Sequence, residues 1–263
     1  MNILPVTLYS RNYGKNPNFT SCTKIYNPKS VANTDIFSGD KVMTTTGVFR
    51  YDLDWDRMMK YIFWNFLNEE KINIWSLACS DGSEPLSYAM YLHNKAPESY
   101  YSKYIPIYGC DIDPEMIRLA KSGKINLSDG DFHNMKKYIK SPNLYFTDAG
   151  EPMKIRQNID NHERSYIIDP YLTDMMTFEK SDILTQVKKI KKDENYVINI
   201  RNVFPYMSEK YRNEVLETLA KNMKSGNIFV FGHYDHLVPN FRQKLFDLGF
   251  FEPFPYANFV QKM

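Results

Sequence analysis

Polar side chains that could bind a ligand follow four separate apolar segments of the chain. They are Ser80 to Glu84, Asp111, Arg201-Asn202 and Gly232-His233. In an open parallel α/β sheet, ligands bind outside the carboxyl ends of the strands. If each apolar segment is a strand, these four groups converge at one edge of the sheet, although they are far apart in the sequence.

Asp111 is the most specific of these candidates. A carboxylate at the end of the second strand can accept two hydrogen bonds from a ribose diol. The alternative is a helix-capping or loop carboxylate, but Asp113 stands directly before Pro114 and already fills the capping role. The triple-glycine fingerprint of dinucleotide enzymes is absent, which disfavours a nicotinamide or flavin enzyme.

The stretch from Lys71 to Met90 predicts the element that positions the first group. Ile72 to Ala78 reads as a buried strand, and a turn of small and polar residues follows it. A helix then opens at Glu84-Pro85, and we expect Ser83 to cap its free N–H groups. Such a turn lets a polar ligand approach the backbone, but a single glycine is also typical of an ordinary strand-to-helix turn without a ligand.

The same alternation of strand and helix continues along the chain and predicts an α/β fold with a mostly parallel, doubly wound sheet. The remaining predicted strands are Ile105 to Cys110, Tyr196 to Ile200, Ile228 to Phe231 and Tyr256 to Gln261. The remaining predicted helices lie within Tyr51 to Leu67, from Pro114 to Gly123, from Ser208 to Met223 and from Asn240 to Leu248. We predict an irregular arm over residues 1–41 and one domain over 42–263, with a small inserted subdomain at about 128–178.

Composition excludes several classes of function. A formal net charge of +2 over 263 residues gives no reason to expect a nucleic-acid surface. Three cysteines without paired spacing predict neither a disulfide framework nor a zinc site, and the histidines show no metal-ligand spacing. No apolar run approaches the length of about 18 residues that a membrane span requires, so we expect a cytoplasmic protein without membrane insertion.

Five segments together resemble the CheR-type methyltransferases, which use S-adenosylmethionine to esterify glutamates of chemotaxis receptors. They are, in order, MTTTGVFRYD, WSLACSDGSEPLSYAM, YGCDIDPEMIRLAKSG, VINIRNVFPYM and GNIFVFGHYDHL. The resemblance runs from about Val42 to the C-terminus. It implies a Rossmann-like class I methyltransferase fold with S-adenosylmethionine as cofactor, bound across the strand ends.

The resemblance also implies a role for individual residues. Asp111 is expected to bind the ribose, Glu84 to bind the methionine amino group, and Asp182-Ile183 to contact the adenine. The methionine end and the reaction cleft are lined by Thr44, Thr46, Arg50 and the pair Arg201-Asn202. Arg50 and Tyr206 are the expected catalytic residues, with Arg50 orienting the incoming carboxylate and Tyr206 next to the transferred methyl group.

Three functions stay open on the sequence alone. The first is O-methylation of a protein glutamate, with a receptor-like protein as partner. The second is methylation of a small molecule, which predicts a closed apolar pocket in place of an open groove. The third is a non-catalytic interaction module that binds S-adenosylmethionine. The family's helical N-terminal domain is expected to be absent, and the sequence leaves the oligomeric state open.

Overall fold

The architecture comes from a computed structural model, which describes residues 46–153 and 163–263. These residues belong to one compact unit, Asp35–Met263. Thr44 and the predicted arm over residues 1–41 lie outside the described residues. No helix in the two described ranges is both long and apolar enough to cross a bilayer.

A seven-stranded sheet forms the centre of the fold, in the order β6-β2-β1-β7-β8-β10-β9. Its strands are β1 (Asn73–Leu77), β2 (Ile107–Asp111), β6 (Met176–Lys180), β7 (Tyr196–Asn199), β8 (Ile228–Val230), β9 (Phe250–Phe251) and β10 (Phe259–Lys262). The five strands from β6 to β8 are parallel, and β10 pairs antiparallel with β8 and β9. The predicted mostly parallel sheet is therefore confirmed.

Helices cover both faces of this sheet. They are α1 (Trp55–Asn65), α2 (Ser83–Lys95), α3 (Glu98–Tyr101), α4 (Pro114–Lys121), α5 (Asp129–Lys136), α6 (Pro170–Asp174), α7 (Ile183–Val187), α8 (Glu209–Asn222) and α9 (Phe241–Asp247). Two separate apolar cores result. Val197 of β7 packs in the core that includes α1 and α2, whereas its neighbour Ile198 packs in the core that includes α7, α8 and α9. This alternation is what a doubly wound sheet requires, since successive side chains of a strand point to opposite faces.

A second, three-stranded antiparallel sheet is inserted between β2 and β6. It consists of β3 (Lys124–Leu127), β4 (Phe146–Gly150) and β5 (Arg164–Ile168), with β5 in the middle. The inserted sheet begins at Lys124, before the predicted start of the subdomain at about residue 128. The predicted end, at about residue 178, falls within β6 of the large sheet.

The turn between β1 and α2 differs from the prediction in one respect. Ser83 does not cap α2, because the chain is already helical at this residue and Gly82 occupies the N-cap position with φ of +90°. The side chain of Asp81 takes over the role: it accepts hydrogen bonds from the N–H of Ser83 at 3.0 Å and from its hydroxyl at 2.6 Å. Asp113 does cap α4 as predicted, accepting from the N–H of Glu115 at 2.8 Å.

Candidate functional site

Asp111 lies at the carboxyl end of β2, where two backbone groups hold its side chain. The N–H of Ser80 donates to Oδ2 at 2.8 Å, and the N–H of Asp113 donates to Oδ1 at 2.9 Å. Burial raises the pKa of Asp111 despite these two hydrogen bonds, which favour the ionised form. Each carboxylate oxygen can accept a second hydrogen bond, so the residue is fixed in place and still able to bind a hydroxyl group.

Glu84 and Arg201 form a buried ion pair at the ends of β1 and β7. Oε2 of Glu84 lies 2.6 Å from Nη1 of Arg201, and the Ser76 hydroxyl donates to Oε1 at 2.7 Å. Ser76 is a strand residue of β1 with no exposed surface. The first turn of α2 is thereby fixed to the strand ends, and two of the predicted site residues are in direct contact.

Asp52 is the other partner of Arg201, and it was not predicted as a site residue. Its Oδ1 lies 2.5 Å from Nη2 of Arg201, and its Oδ2 accepts from the side-chain amide of Asn202 at 2.9 Å. The backbone N–H of His233 donates to the same Oδ2 at 3.2 Å. Burial alone would raise the pKa of Asp52, but Arg201, then Arg50 and these hydrogen bonds, bring it below its usual value. The carboxylate is therefore ionised at neutral pH.

Arg201 is a buried cation between two carboxylates, and one of its donors is unused. Its side chain is only 5% exposed, and its guanidinium lies over the Trp55 ring at 5.9 Å. Burial lowers the pKa of Arg201, but Glu84 and Asp52 more than offset this and raise it. Nε is buried without a hydrogen-bond partner among the described residues. Because an unpaired buried donor costs free energy, this atom indicates a place for an acceptor group of a ligand.

Asp235 connects the ends of β7 and β8 next to this network, and it was also not predicted from the sequence. It is fully buried, and its carboxylate accepts from the N–H groups of Asn202 at 2.8 Å, Gly232 at 2.7 Å and Phe204 at 3.1 Å. Burial raises its pKa to about 7, against the opposing effect of these donors. Asn202 itself has φ of +58° and accepts from the N–H of Tyr234 at 2.9 Å. The ends of β7 and β8 are thus joined through one acidic side chain.

Arg50 lies at the open side of this network. Its guanidinium is 5.5 Å from the centre of the Tyr234 ring, and Nε is 3.9 Å from Oδ1 of Asp52. The preceding residue, Phe49, fixes the loop because its N–H donates to the Ser87 hydroxyl at 2.8 Å and its ring is buried. Arg50 keeps 17% of its side chain exposed. Arg50 is therefore a cation that lies against Tyr234 and Asp52 and is partly exposed to solvent.

Three more of the predicted residues follow the carboxyl ends of β6 and β7: Asp182, Ile183 and Tyr206. Asp182 caps α7 by accepting from the N–H of Thr185 at 2.9 Å, and Ser181 beside it donates its N–H to the carbonyl of Asp111 at 2.9 Å. Ile183 follows in the first turn of α7. Tyr206 is half-buried in the short 3-10 turn after β7, and Thr46 is half-buried at the start of the described chain.

Comparison with known proteins shows which family model and which relatives this chain matches. A family model described as CheR methyltransferase, SAM binding domain, matches residues 44–248. A chemotaxis protein methyltransferase of Listeria monocytogenes is 22% identical over 218 residues, which are 80% of this chain and 72% of the relative. One from Vibrio anguillarum is 26% identical over 176 residues, 65% of this chain and 56% of the relative. The solved precorrin-6y C5,15-methyltransferase of Geobacter metallireducens GS-15 aligns with a TM-score of 0.39 and 9% identity, over 82% of this chain and 90% of that chain.

Proposed function

Because the chain belongs to the CheR methyltransferase family and is an S-adenosylmethionine-dependent methyltransferase, we propose that its acceptor is the carboxylate of a glutamate in a protein. The observation that carries this proposal is Arg50, a cation held at the open side of a buried polar network. A guanidinium binds a carboxylate through short, charge-assisted hydrogen bonds, which suits this acceptor better than a neutral one. Both named relatives are chemotaxis protein methyltransferases, so we expect the acceptor to be a protein of a chemotaxis system.

The cofactor residues are proposed from the family resemblance together with this geometry. Asp111 binds the ribose hydroxyls with the free lone pairs of its fixed carboxylate. Glu84 binds the methionine amino group, and the unpaired Nε of Arg201 is a donor for the methionine carboxylate. The residue pair Asp182-Ile183 lies one strand away from Asp111, where it contacts the adenine. Asn202, Thr46 and Thr44 complete the methionine end, Thr44 from outside the described residues.

The proposed methyl transfer needs little proton transfer by the protein. S-adenosylmethionine, when bound, supplies an electrophilic methyl group on its sulfonium sulfur. A glutamate side chain has an ordinary pKa of about 4.3, so the acceptor is already ionised near neutral pH and needs no general base. The proposal of a reaction without a general base agrees with the contacts of Asp52 and Glu84, because each carboxylate is ion-paired with Arg201. Arg50 orients the acceptor, Tyr206 packs beside it, and exact alignment of the reacting groups supplies most of the rate enhancement.

The test is transfer of a labelled methyl group from S-adenosylmethionine to a peptide that contains a single glutamate. We expect incorporation that mild alkali releases as methanol, as a methyl ester requires, and none into the same peptide with glutamine in place of glutamate. Arg50→Ala should lower kcat/KM by about a hundredfold, since it removes a charge-assisted contact to the acceptor. Arg50→Lys should restore part of the activity.

The result also separates the remaining functions. Label that is found only in small-molecule extracts would show a small-molecule acceptor and contradict the proposal. Cofactor binding without transfer to any acceptor would leave a non-catalytic binding module. Binding of S-adenosylhomocysteine, measured by calorimetry on the same preparation, is the control that the site is intact.

A further inference from the structure

The turn that carries Tyr206 is anchored at its first residue by buried groups. It is a short 3-10 helix, Phe204–Tyr206, that follows the end of β7. The ring of Phe204 is fully buried, and its N–H donates to Oδ1 of Asp235 at 3.1 Å. Because Pro205 has no N–H, the turn has one hydrogen-bond donor fewer than an ordinary turn of this length. Contacts to its carbonyl groups therefore contribute to holding Tyr206 in place.

The side chain of Arg212 makes such contacts on both sides of Tyr206. Its Nη1 lies 3.3 Å from the carbonyl oxygen of Phe204 and 3.5 Å from that of Met207. A guanidinium nitrogen carries two hydrogens and can donate to both carbonyls at once. With Asp235 at its N–H and Arg212 at its carbonyl oxygen, Phe204 is held at both of its backbone polar groups. The turn is thus fixed by one acidic and one basic side chain.

The place of Arg212 in its helix is unfavourable without these contacts. It is the fourth residue of α8, whose N-cap is Ser208. The N-terminal end of a helix dipole is positive, so a cation there is destabilising unless other contacts offset the repulsion. Burial also lowers the pKa of Arg212, and the charge of Glu209 opposes this effect. The carbonyl groups of the turn are therefore contacts that stabilise this half-buried cation.

We propose that Arg212 is a positioning residue for methyl transfer, which acts by fixing the turn that places Tyr206 beside the transferred methyl group. The inference rests on the proposed function, in which Tyr206 packs next to the acceptor. In this role Arg212 needs no contact with the cofactor or the acceptor. A small displacement of a side chain at the reacting groups lowers the rate of the chemical step, whereas binding depends on many other contacts. Loss of the Arg212 contacts should therefore lower kcat and leave KM nearly unchanged.

Three variants test this role. Arg212→Met removes the donors and keeps an unbranched side chain, whereas Arg212→Lys keeps the charge and one donor group. Lys210→Met is the matched control, because it removes a cation from an exposed residue of the same helical turn. For each protein, kcat and KM are measured with the glutamate peptide and labelled S-adenosylmethionine. The Kd for S-adenosylhomocysteine is measured by calorimetry.

We expect Arg212→Met to lower kcat about tenfold, with changes of less than about twofold in KM for the peptide and in Kd for S-adenosylhomocysteine. Arg212→Lys should keep at least about a third of the wild-type kcat, since an ammonium group can still donate to one of the carbonyls. Lys210→Met should match the wild type. A raised KM or Kd with an unchanged kcat would overturn the inference, because Arg212 would then contribute to binding and not to alignment.

A double-mutant cycle shows whether Arg212 acts through Tyr206. In Tyr206→Ala the side chain that the turn positions is gone, so adding Arg212→Met should lower kcat by less than about twofold further. The same tenfold loss in both backgrounds would mean that Arg212 acts on the reaction by another route, and the inference would be wrong.

Backbone hydrogen exchange tests the turn without an assay of activity. The N–H groups of Tyr206 and Met207 donate to carbonyl oxygens three residues earlier, at 3.0 and 3.2 Å. They should exchange at least about tenfold faster in Arg212→Met than in Lys210→Met, while the N–H groups of β7 exchange as in the wild type and show that the fold is intact. If Arg212→Met does not fold, Arg212→Lys takes its place, with a smaller increase expected. Unchanged exchange in the turn would overturn the inference.

The same measurements distinguish this inference from the proposed function. If Arg212→Met methylates the glutamate peptide with the wild-type kcat, the proposed function stands and the role of Arg212 is wrong. If the wild type transfers its label to another acceptor and not to the glutamate peptide, the proposed function is wrong. The kcat comparison is then made with that other acceptor, and a tenfold loss in Arg212→Met would still support the positioning role.

Discussion

The guanidinium of Arg201 is held between Asp52 and Glu84, with Nη2 at 2.5 Å from the first carboxylate and Nη1 at 2.6 Å from the second. The three residues come from different parts of the fold: the loop before α1, the first turn of α2 and the end of β7. One buried cation therefore joins the loop that carries Arg50 to the two elements that carry the proposed cofactor residues.

The first prediction follows from this link. Asp52→Asn should lower the free energy of unfolding by about 3 kcal/mol, because it removes one partner of a buried ion pair. It should also weaken S-adenosylmethionine binding at least tenfold, since Arg201 and Asn202 both lose a fixed partner. Urea unfolding and calorimetric titration measure the two effects.

Asp54→Asn is the matched control for this substitution. Asp54 is 58% exposed and caps α1, a role that asparagine performs equally well. We expect wild-type stability and affinity for this variant. If Asp52→Asn instead bound S-adenosylmethionine with wild-type affinity, the contacts of Asp52 with Arg201 and Asn202 would not contribute to cofactor binding.

The second prediction concerns Asp111. Asp111→Ala should abolish measurable binding of S-adenosylmethionine in calorimetry, because a carboxylate fixed by two backbone N–H groups at the end of β2 is lost. Asp113→Asn, two residues away, keeps a capping side chain on α4 and should bind normally. Normal binding by a folded Asp111→Ala protein would contradict the ribose assignment.

The third prediction distinguishes the contribution of the Tyr234 ring to activity from that of its hydroxyl group. The ring lies under Arg50 at 5.5 Å, a contact worth about 0.5–1 kcal/mol at a partly exposed site. Tyr234→Leu should therefore lower kcat/KM for the glutamate peptide about threefold to fivefold, whereas Tyr234→Phe keeps the ring and should lose little. An equal loss in both variants would assign the effect to the hydroxyl.

Much of the fold could be predicted from the sequence because apolar segments of four to seven residues alternate with helices along the chain. The capping role of Asp113 depends on neighbouring residues only and is confirmed. The predicted strands and helices occur in the predicted order, but β6, β9 and α7 were not predicted. The cap at Ser83 was wrong for a local reason as well, because the helix already begins at Ser83, whose own N–H donates to the Asp81 side chain.

Asp52 and Asp235 could not be identified in the same way. Asp52 meets Arg201 across 149 positions of the sequence, and Asp235 meets the N–H of Asn202 across 33. Each is an ordinary acidic residue in its local sequence, and only the folded chain buries it. The nearest signal for Asp52 was its position two residues after Arg50 in the segment MTTTGVFRYD, and the aspartate in GHYDHL was the corresponding signal for Asp235.

The fourth prediction concerns the close approach of Gly232 to Asn202. A Cβ at residue 232 would lie 2.2 Å from Cγ of Asn202, so Gly232→Ala must displace that side chain from Asp52. We expect a loss of about 2–4 kcal/mol in the free energy of unfolding, together with weaker cofactor binding. Gly130→Ala is the control, since its nearest neighbour is at 3.4 Å and alanine favours helix α5. A neutral Gly232→Ala would show that the Asn202 side chain has room to move.

The fifth prediction uses the pKa of Asp235, which burial raises to about 7. A carboxyl group whose pKa is higher in the folded protein than in the unfolded chain binds more protons when folded between about pH 4 and pH 7. Its contribution to stability is then complete at the low end of this range and is lost as the pH rises. Asp235→Asn removes the titrating group, so the stability advantage of the wild type over this variant should shrink from pH 4 to pH 7.

Chemical denaturation of both proteins at a series of pH values measures this difference. Glu217→Gln, at an exposed side chain of α8, is the control and should show no such trend. A wild-type advantage that instead grows with pH would contradict the prediction. It would mean that the three N–H donors from Asn202, Gly232 and Phe204 outweigh burial and keep the carboxylate ionised throughout. Asp235 would then act at neutral pH as a fixed negative charge beneath Arg201.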